Sequence, residues 1–206
     1  GNYIGRHQVG YAPYSYWTFK QLYDAEGNAI QNAFVDLNKD GKIDGSDKYC
    51  AGDPNPDFYY GLNVKLSYRN WDFGFNGHGS FGYKVFNDFA SNNSTAYFDV
   101  NAGNLPNFAT AVTRTGFTQI SGDYQFFSDF YLEDASFFRL DDINLGYTFK
   151  EIGNWGGNIR VAASCQNVFV ITNYSGIDPE VNSADGVDRS FWPRPRTYSV
   201  RLNINF

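Results

Sequence analysis

Thr197-Tyr198-Ser199-Val200-Arg201-Leu202-Asn203-Ile204-Asn205-Phe206 is the stretch that decides the fold. Tyr198, Val200, Leu202, Ile204 and Phe206 take every second position, and Ser199, Arg201, Asn203 and Asn205 take the others. Successive side chains of a strand point to opposite faces, so this segment has one apolar face and one polar face. Its length is that of a tilted membrane-spanning strand, about 9–11 residues. It stops on an aromatic residue, where a strand of a soluble sandwich usually leads on into another turn.

The same alternation recurs upstream. Asp57 to Asn70 sets Phe58, Tyr60, Leu62, Val64, Leu66 and Tyr68 against Tyr59, Gly61, Asn63, Lys65, Ser67 and Arg69. Trp71 to Val85 sets Trp71, Phe73, Phe75, Phe81, Tyr83 and Val85 against Asp72, Asn76, His78, Ser80 and Lys84. Ser136 to Phe149 ends in Ile143, Leu145, Tyr147 and Phe149, alternating with Asn144, Gly146 and Thr148. Ile159 to Ile171 sets Ile159, Val161, Ala163, Cys165 and Phe169 against Arg160, Ser164 and Gln166. With the terminal segment these are five expected strands.

The connections alternate between short (Arg69-Asn70; Glu151 to Asn158) and long (Asn87 to Asp134; Thr172 to Arg196). Outer-membrane barrels have short periplasmic turns and long outer loops, so this rhythm expects the long segments, with everything before Asp57, to face outward. Five strands cannot close a barrel, because the smallest have about eight. The missing strands are expected from the rest of a longer protein. The absence of Met among the 206 residues and the start at Gly1 lead to the same expectation.

Composition agrees with this reading. Aromatics make up 19% of the chain, with 20 Phe and 16 Tyr, as suits lipid-facing bands and aromatic girdles. The mean hydropathy is -0.46, and no run approaches the roughly 18 apolar residues of a membrane helix. A barrel hides its hydrophobicity in alternation and remains allowed. The net charge of -6 argues against nucleic acid as a partner. Cys50 and Cys165 lie far apart and are expected to be unpaired thiols.

Asp36-Leu37-Asn38-Lys39-Asp40-Gly41-Lys42-Ile43-Asp44-Gly45-Ser46-Asp47 has the spacing of a calcium loop. Such a loop needs oxygen ligands at positions 1, 3 and 5, Gly at 6, a backbone carbonyl at 7 and a carboxylate at 12. Asp36, Asn38, Asp40, Gly41, the Lys42 carbonyl and Asp47 meet that pattern, and Asp44 at position 9 binds through water. Asp replaces the longer Glu at position 12, and no amphipathic helices flank the loop. A structural calcium ion is expected here, against the plainer reading of a solvated Asx-rich turn.

Several segments resemble one family, the SusC/RagA-type TonB-dependent outer-membrane transporters. Asn55-Pro56-Asp57-Phe58-Tyr59-Tyr60-Gly61-Leu62-Asn63 resembles their "NPDFTYGLN" opening, and the Asp36–Asp47 loop is similar to "DLNGDGKID". Ala135 to Phe149 is similar to "GSFLRLKNVTLGYTF", and Gln166-Asn167-Val168-Phe169 to "QNLF". Tyr174 to Val181 is similar to "YSGYDPEV", and Trp192 to Tyr198 to "YPQPRTY". The order and spacing agree from about Val9 to Phe206. The resemblance implies an all-β fold: the C-terminal strands of a transmembrane antiparallel β-barrel of about 22 strands with long extracellular loops. Residues 1–56 would form an extracellular loop segment and residues 57–206 the last five strands. It implies a SusD-like surface lipoprotein and the rest of the same transporter as partners, with TonB engaged through an N-terminal part. The surroundings would be a lipid bilayer of the bacterial outer membrane, and the cargo an oligosaccharide or a peptide.

No nucleophile, base and orienting group stand in a catalytic arrangement, so no enzyme activity is expected. His78 is expected to line the polar face with Asp72 and Asn76, and Lys65, Arg139, Asp141 and Arg201 to line it or pair across strands. Tyr174, Phe191 and Trp192 are expected as girdle or loop-packing aromatics rather than cargo contacts, and Tyr14, Tyr16, Trp17 and Phe19 share that ambiguity. The competing reading is a soluble calcium-stabilised β-sandwich that binds glycans. Extraction only by detergent, with heat-modifiable migration in SDS, would support the barrel, and a monomer that folds without detergent would support the sandwich.

Overall fold

The computed structural model of the chain describes residues 4–93, 95–96, 111–118, 125–152, 156–181, 183–189 and 192–205. Phe191 and Phe206 lie outside the described residues. The chain divides into two compact units, one of Gly1–Asn55, Tyr83–Ala135 and Tyr174–Phe191 and the other of Pro56–Gly82, Ser136–Asn173 and Trp192–Phe206. In chain order the strands are β1 (Gly5–Arg6), β2 (Ser15–Phe19), β3 (Gln21–Tyr23), β4 (Ala29–Phe34), β5 (Lys48–Gly52), β6 (Phe58–Tyr68) and β7 (Trp71–Phe81). They continue as β8 (Lys84–Asn87), β9 (Thr95–Ala96), β10 (Phe117–Thr118), β11 (Leu132–Asp134), β12 (Phe137–Ile152), β13 (Gly157–Thr172), β14 (Val187–Asp188) and β15 (Thr197–Asn205).

The second unit is one five-stranded sheet in the order β15-β13-β12-β7-β6. Every neighbouring pair is antiparallel. Its register puts like with like. Leu66 faces Phe73 and Val64 faces Phe75. Phe75 in turn faces Ile143, Ile143 faces Cys165, and Val161 faces Leu202. The result is a continuous apolar face. It is uncovered: Leu66 is 59% exposed, Tyr198 73% and Val200 81%. A sandwich would bury such residues against a second sheet, so the exposure favours a surface that meets lipid. The aromatics gather at both ends of this face. Trp71, Tyr147 and Phe149 meet edge to face near the Arg69-Asn70 turn, with ring centroids 4.7 Å apart in each pair. Phe58, Tyr60, Phe81 and Phe138 stack at the other end. From Tyr60 to Tyr68 the strand rises roughly 27 Å at about 3.4 Å per residue, close to the ~25 Å apolar band of a membrane barrel.

The strand expected from Trp71 to Val85 stops at Phe81. Gly82 takes φ +77°, a backbone that bulky side chains avoid. A Cβ there would also collide with the Asp57 carboxylate. Beyond it Tyr83 and Val85, expected on the lipid-facing side, are buried in the first unit. The third strand hides a phase change. Leu140 faces Gly77 and Asp142 faces Asn76, so Asp141 is the extra residue of a β-bulge. Phe138 and Leu140 therefore share the apolar face with Ile143 and Leu145, although their parity differs. A second irregularity sits across from it in β13, where Asn167 has φ +51°.

The first unit holds smaller sheets, among them β1-β2-β5, β11-β8-β14 and β3-β4. Its core joins Tyr16, Phe86, Tyr131 and Val187, packed by Ile4, Ala90, Phe130 and Leu132. With so little regular structure, buried polar side chains carry the connections. The Tyr16 hydroxyl lies 2.9 Å from the Gly186 carbonyl and 3.1 Å from that of Lys84; burial pushes its pKa well up, so it stays a neutral donor. Buried Gln21 donates to the carbonyls of Ile30 (2.7 Å) and Ala33 (3.1 Å), and accepts from Gln125 and Ser128, both at 2.8 Å. Tyr174 donates to Asp188 at 2.7 Å. The Glu133 carboxylate accepts from Ser175 and Asn87.

Candidate functional site

The polar face of the five-stranded sheet carries two charge pairs, Arg160 with Asp72 and His78 with Asp141, while Lys65 and Arg201 are exposed. Arg160 of β13 reaches Asp72 of β7 with two parallel hydrogen bonds, Nε to Oδ1 at 2.9 Å and Nη2 to Oδ2 at 2.5 Å. These strands are not neighbours; β12 runs between them. The guanidinium crosses it over Gly146, the direct partner of both Asp72 and Ala162. A Cβ on Gly146 would stand 2.5 Å from Arg160 Nη2 and 2.6 Å from the Asp72 carboxylate. Gly146 is thus the gap through which a three-strand staple passes. A bidentate pair of this kind is a charge-assisted bond with fixed geometry.

His78 pairs with Asp141, Nδ1 lying 2.7 Å from Oδ2. The bulge turns Asp141 toward it. The imidazole also meets Phe137 edge to face at 5.3 Å. Arg139 is buried, donates to Asn167 at 2.8 Å and lies over the Phe137 ring. Asn167 in turn donates to the Arg194 carbonyl at 2.8 Å. This cluster ties both bulges and the segment leading into β15 together. His78, Arg139 and Asp141 are expected on one face from the sequence, but their partners are not legible there. The signal for the bulge was the break in alternation between Leu140 and Ile143.

The acidic loop is built from side-chain-to-backbone bonds. Asp36 accepts from the amides of Lys39 (2.6 Å) and Gly41 (2.8 Å). Asn38 accepts from Asp40 N at 3.0 Å, and Asp40 from Lys42 N at 2.8 Å. Asp44 accepts from Ser46 and caps the short 3₁₀ turn Gly45–Asp47. Asp47 is 0% exposed and closes the loop: its Oδ1 accepts from Leu37 N at 2.9 Å and its Oδ2 from Asp44 N at 2.9 Å. The Asp44 amide, with those of Leu37 and Asn38, holds the Asp47 carboxyl below its ordinary pKa of 3.8. Among the described residues no three His, Cys, Asp or Glu side chains converge in a metal-holding group.

Of the loop aromatics, Tyr16, Phe19 and Tyr174 are buried and serve packing. Trp192 is 87% exposed. Cys50 and Cys165 are free thiols.

No family model matches the chain. It is similar to "TonB-dependent receptor SusC" of Bacteroides thetaiotaomicron, with 39% identity over 98% of this chain and 20% of that protein. It is also similar to "TonB-dependent receptor P3" of Formosa agariphila, with 31% identity over 99% of this chain and 21% of that protein. The chain spans about a fifth of the length of the curated relatives it matches. Among solved structures it shares its fold with the RagAB peptide transporter, at TM-score 0.73 and 18% identity, covering 100% of this chain and 24% of that one. The RagAB peptide importer in its "open-open" state matches at TM-score 0.71 and 16% identity, again over 100% of this chain and 24% of that one.

Two outcomes follow from this geometry. Gly146→Val closes the gap and separates Arg160 from Asp72, a loss of about 1–3 kcal/mol for hydrogen bonds between charged groups. The full-length protein should then convert from its compact to its unfolded band at lower temperature in SDS electrophoresis. Arg160→Gln should add little further loss in that background, and full additivity would refute the staple. For the loop, a carboxyl with a depressed folded pKa contributes above its unfolded pKa and loses the contribution as pH falls through the folded value. The protection of the Leu37 and Asp44 amides, relative to the unstructured chain at the same pH, should therefore be full at neutral pH and fall below about pH 4. Equal protection at pH 3 and pH 7 would contradict the role given to Asp47.

Proposed function

Because the chain is SusC/RagA-like and belongs with the TonB-dependent receptors, we propose that it forms the last strands and outer loops of an outer-membrane nutrient importer. Location in the outer membrane is a property of the family. The single observation that carries the reading is the uncovered apolar face of a sheet whose opposite face is polar and holds two charge pairs. That combination suits lipid outside and a polar interior within. The β6 and β15 edges of the sheet are left for strands supplied by the remainder of the transporter, because an open edge in lipid leaves backbone groups unsatisfied.

The importer works with a SusD-like surface lipoprotein and draws on TonB through its N-terminal part. Its cargo is an oligosaccharide or a peptide. RagAB, the structural relative, is a peptide importer, which supports the second class, and the likeness to SusC supports the family without choosing between them. No catalytic role is assigned to any residue. The test is genetic and biochemical. Deleting the full-length gene should abolish growth on one polymeric glycan or peptide source, and mild detergent should extract the protein together with a surface lipoprotein. Unchanged growth on every such source, or extraction without detergent, would sink the reading.

The loop of residues 36–47 is given a structural calcium ion, on the ligand spacing of Asp36, Asn38, Asp40, the Lys42 carbonyl, Asp44 and Asp47. Carboxylate oxygens that accept one amide keep a lone pair for a cation. The ion would stiffen the loop. Terbium luminescence, sensitised by a nearby tyrosine, should rise on binding and be displaced by calcium, and Asp36→Ala with Asp40→Ala should remove it. An unchanged signal in that double variant would refute the site.

A further inference from the structure

The apolar face of the five-stranded sheet is not uniform. Near the Arg69-Asn70 turn it holds a trough of about 480 Å³, lined by Trp71, Leu145, Tyr147, Phe149, Val161 and Ala163. The register explains the hollow. One cross-strand row runs Trp71, Tyr147, Val161 and Leu202, and the next runs Phe73, Leu145, Ala163 and Val200. Ala163 is the one small side chain in either row, so the surface dips between Leu145 and Val200. The Trp71, Tyr147 and Phe149 rings, in edge-to-face contact, wall the end nearest the turn. The lining comes from β7, β12 and β13, the three inner strands of the sheet.

The rim at that end is polar. The turn is pinned to β12, where the Thr148 amide donates to the Asn70 carbonyl at 2.9 Å. Asn70 Nδ2 also lies 3.5 Å from the Tyr147 hydroxyl. Arg69 is exposed, with φ +57°, and its guanidinium lies 5.2 Å over the Tyr68 ring. Tyr68 is the direct partner of Trp71. A cation and a phenolic hydroxyl thus stand at the aromatic end of an otherwise apolar slot.

We propose that this trough retains one phospholipid, with an acyl chain lying in the slot and the phosphate held by Arg69. The site rests on the importer reading, which puts this face in a membrane, and it singles out one position on a face that would otherwise meet lipid indifferently. Dimensions select the occupant. Leu145 and Val200 flank Ala163 from strands two spacings apart, about 9.6 Å between their axes. An α-helix with its side chains is about 10–12 Å across and cannot enter, whereas a single file of methylenes can. Within a bilayer an acyl chain gains no hydrophobic free energy by leaving other chains for protein. Retention therefore comes from close packing in the slot and from the headgroup. Phosphate is the group that a guanidinium grips with two parallel hydrogen bonds. Aromatic rings settle at headgroup depth, which sets the phosphate level with the Trp71 and Tyr147 end and within reach of the long Arg69 side chain.

The test uses the full-length transporter in lipid nanodiscs that contain a trace of phosphatidylglycerol with a photoactivatable diazirine on its acyl chain. After illumination the labelled residues are mapped by mass spectrometry. Label should concentrate on Trp71, Leu145, Tyr147 and Ala163 and be sparse on Leu62 and Leu66, which are also exposed and apolar. Ala163→Phe, at an exposed position, fills the slot and should lower the label there roughly tenfold by removing the packing surface. Arg69→Asn keeps a residue that tolerates positive φ and should lower it roughly tenfold by removing the charge-assisted bonds to phosphate. Diacylglycerol with the same diazirine chain has no phosphate and should label the slot no more than Leu62 and Leu66. Compact migration in unheated SDS electrophoresis confirms that each variant folds. Label spread evenly over the exposed apolar residues, unchanged label in either variant, or equal label from diacylglycerol overturns the proposal. Any of these together with loss of growth on deletion would refute the lipid site alone. Extraction of the wild-type protein without detergent would refute the importer.

Discussion

A strand in lipid has no water to satisfy its N–H and C=O groups, so every one of them must find a neighbouring strand. The rest of the second unit follows from that constraint. The five strands form an unbroken antiparallel meander with adjacent partners throughout. Pairing also fixes which side chains share a face. The register that aligns Leu66, Phe73, Leu145, Val161 and Leu202 on the apolar side necessarily aligns Asp72, Gly146, Ala162 and Arg201 on the other. The two faces are therefore one decision, and the charge pairs depend on the same ladder as the lipid-facing band.

The first unit obeys a different rule. Its segments come from three separated stretches of chain, and its strands are short. Backbone pairing alone cannot hold such loops, so the buried side chains of Gln21, Gln125 and Tyr16, with the half-buried Glu133, satisfy the carbonyls and amides that a ladder would have served. Loops built this way hold a fixed surface, which a binding role requires.

Much of the second unit was legible in the sequence, because a two-residue period survives wherever one face meets lipid and the other does not. The terminal strand, the Asp57–Asn70 strand and the Arg69-Asn70 turn fell within a residue or two of their positions. Two things were not legible from period alone. Gly82 ends a strand that the pattern would carry on to Val85, since Tyr83 and Val85 are apolar for another reason, burial in the first unit. The bulge at Asp141 shifts the phase between Leu140 and Ile143, and strict alternation has no means of representing an extra residue. In the acidic loop the residue types and spacing were plain. The closing role of Asp47 was not, because it depends on which amides fold back onto its carboxylate. The pairs on the polar face were hidden for a similar reason. Arg160 and Asp72 are 88 residues apart, and only the sheet order brings them to either side of Gly146.

That staple has a consequence for how the sheet is put together. A hydrogen-bond ladder by itself is nearly periodic, so a strand displaced by two residues regains most of its backbone bonds and keeps its faces correct. Arg160, Gly146 and Asp72 make one setting unlike the rest. A two-residue slip of β12 removes the glycine from between the charges and sets Asn144 or Thr148 there instead, each with a side chain in the way. The central strand is thereby indexed against both of its neighbours at once, as a pin passing through three plates allows only one alignment of their holes.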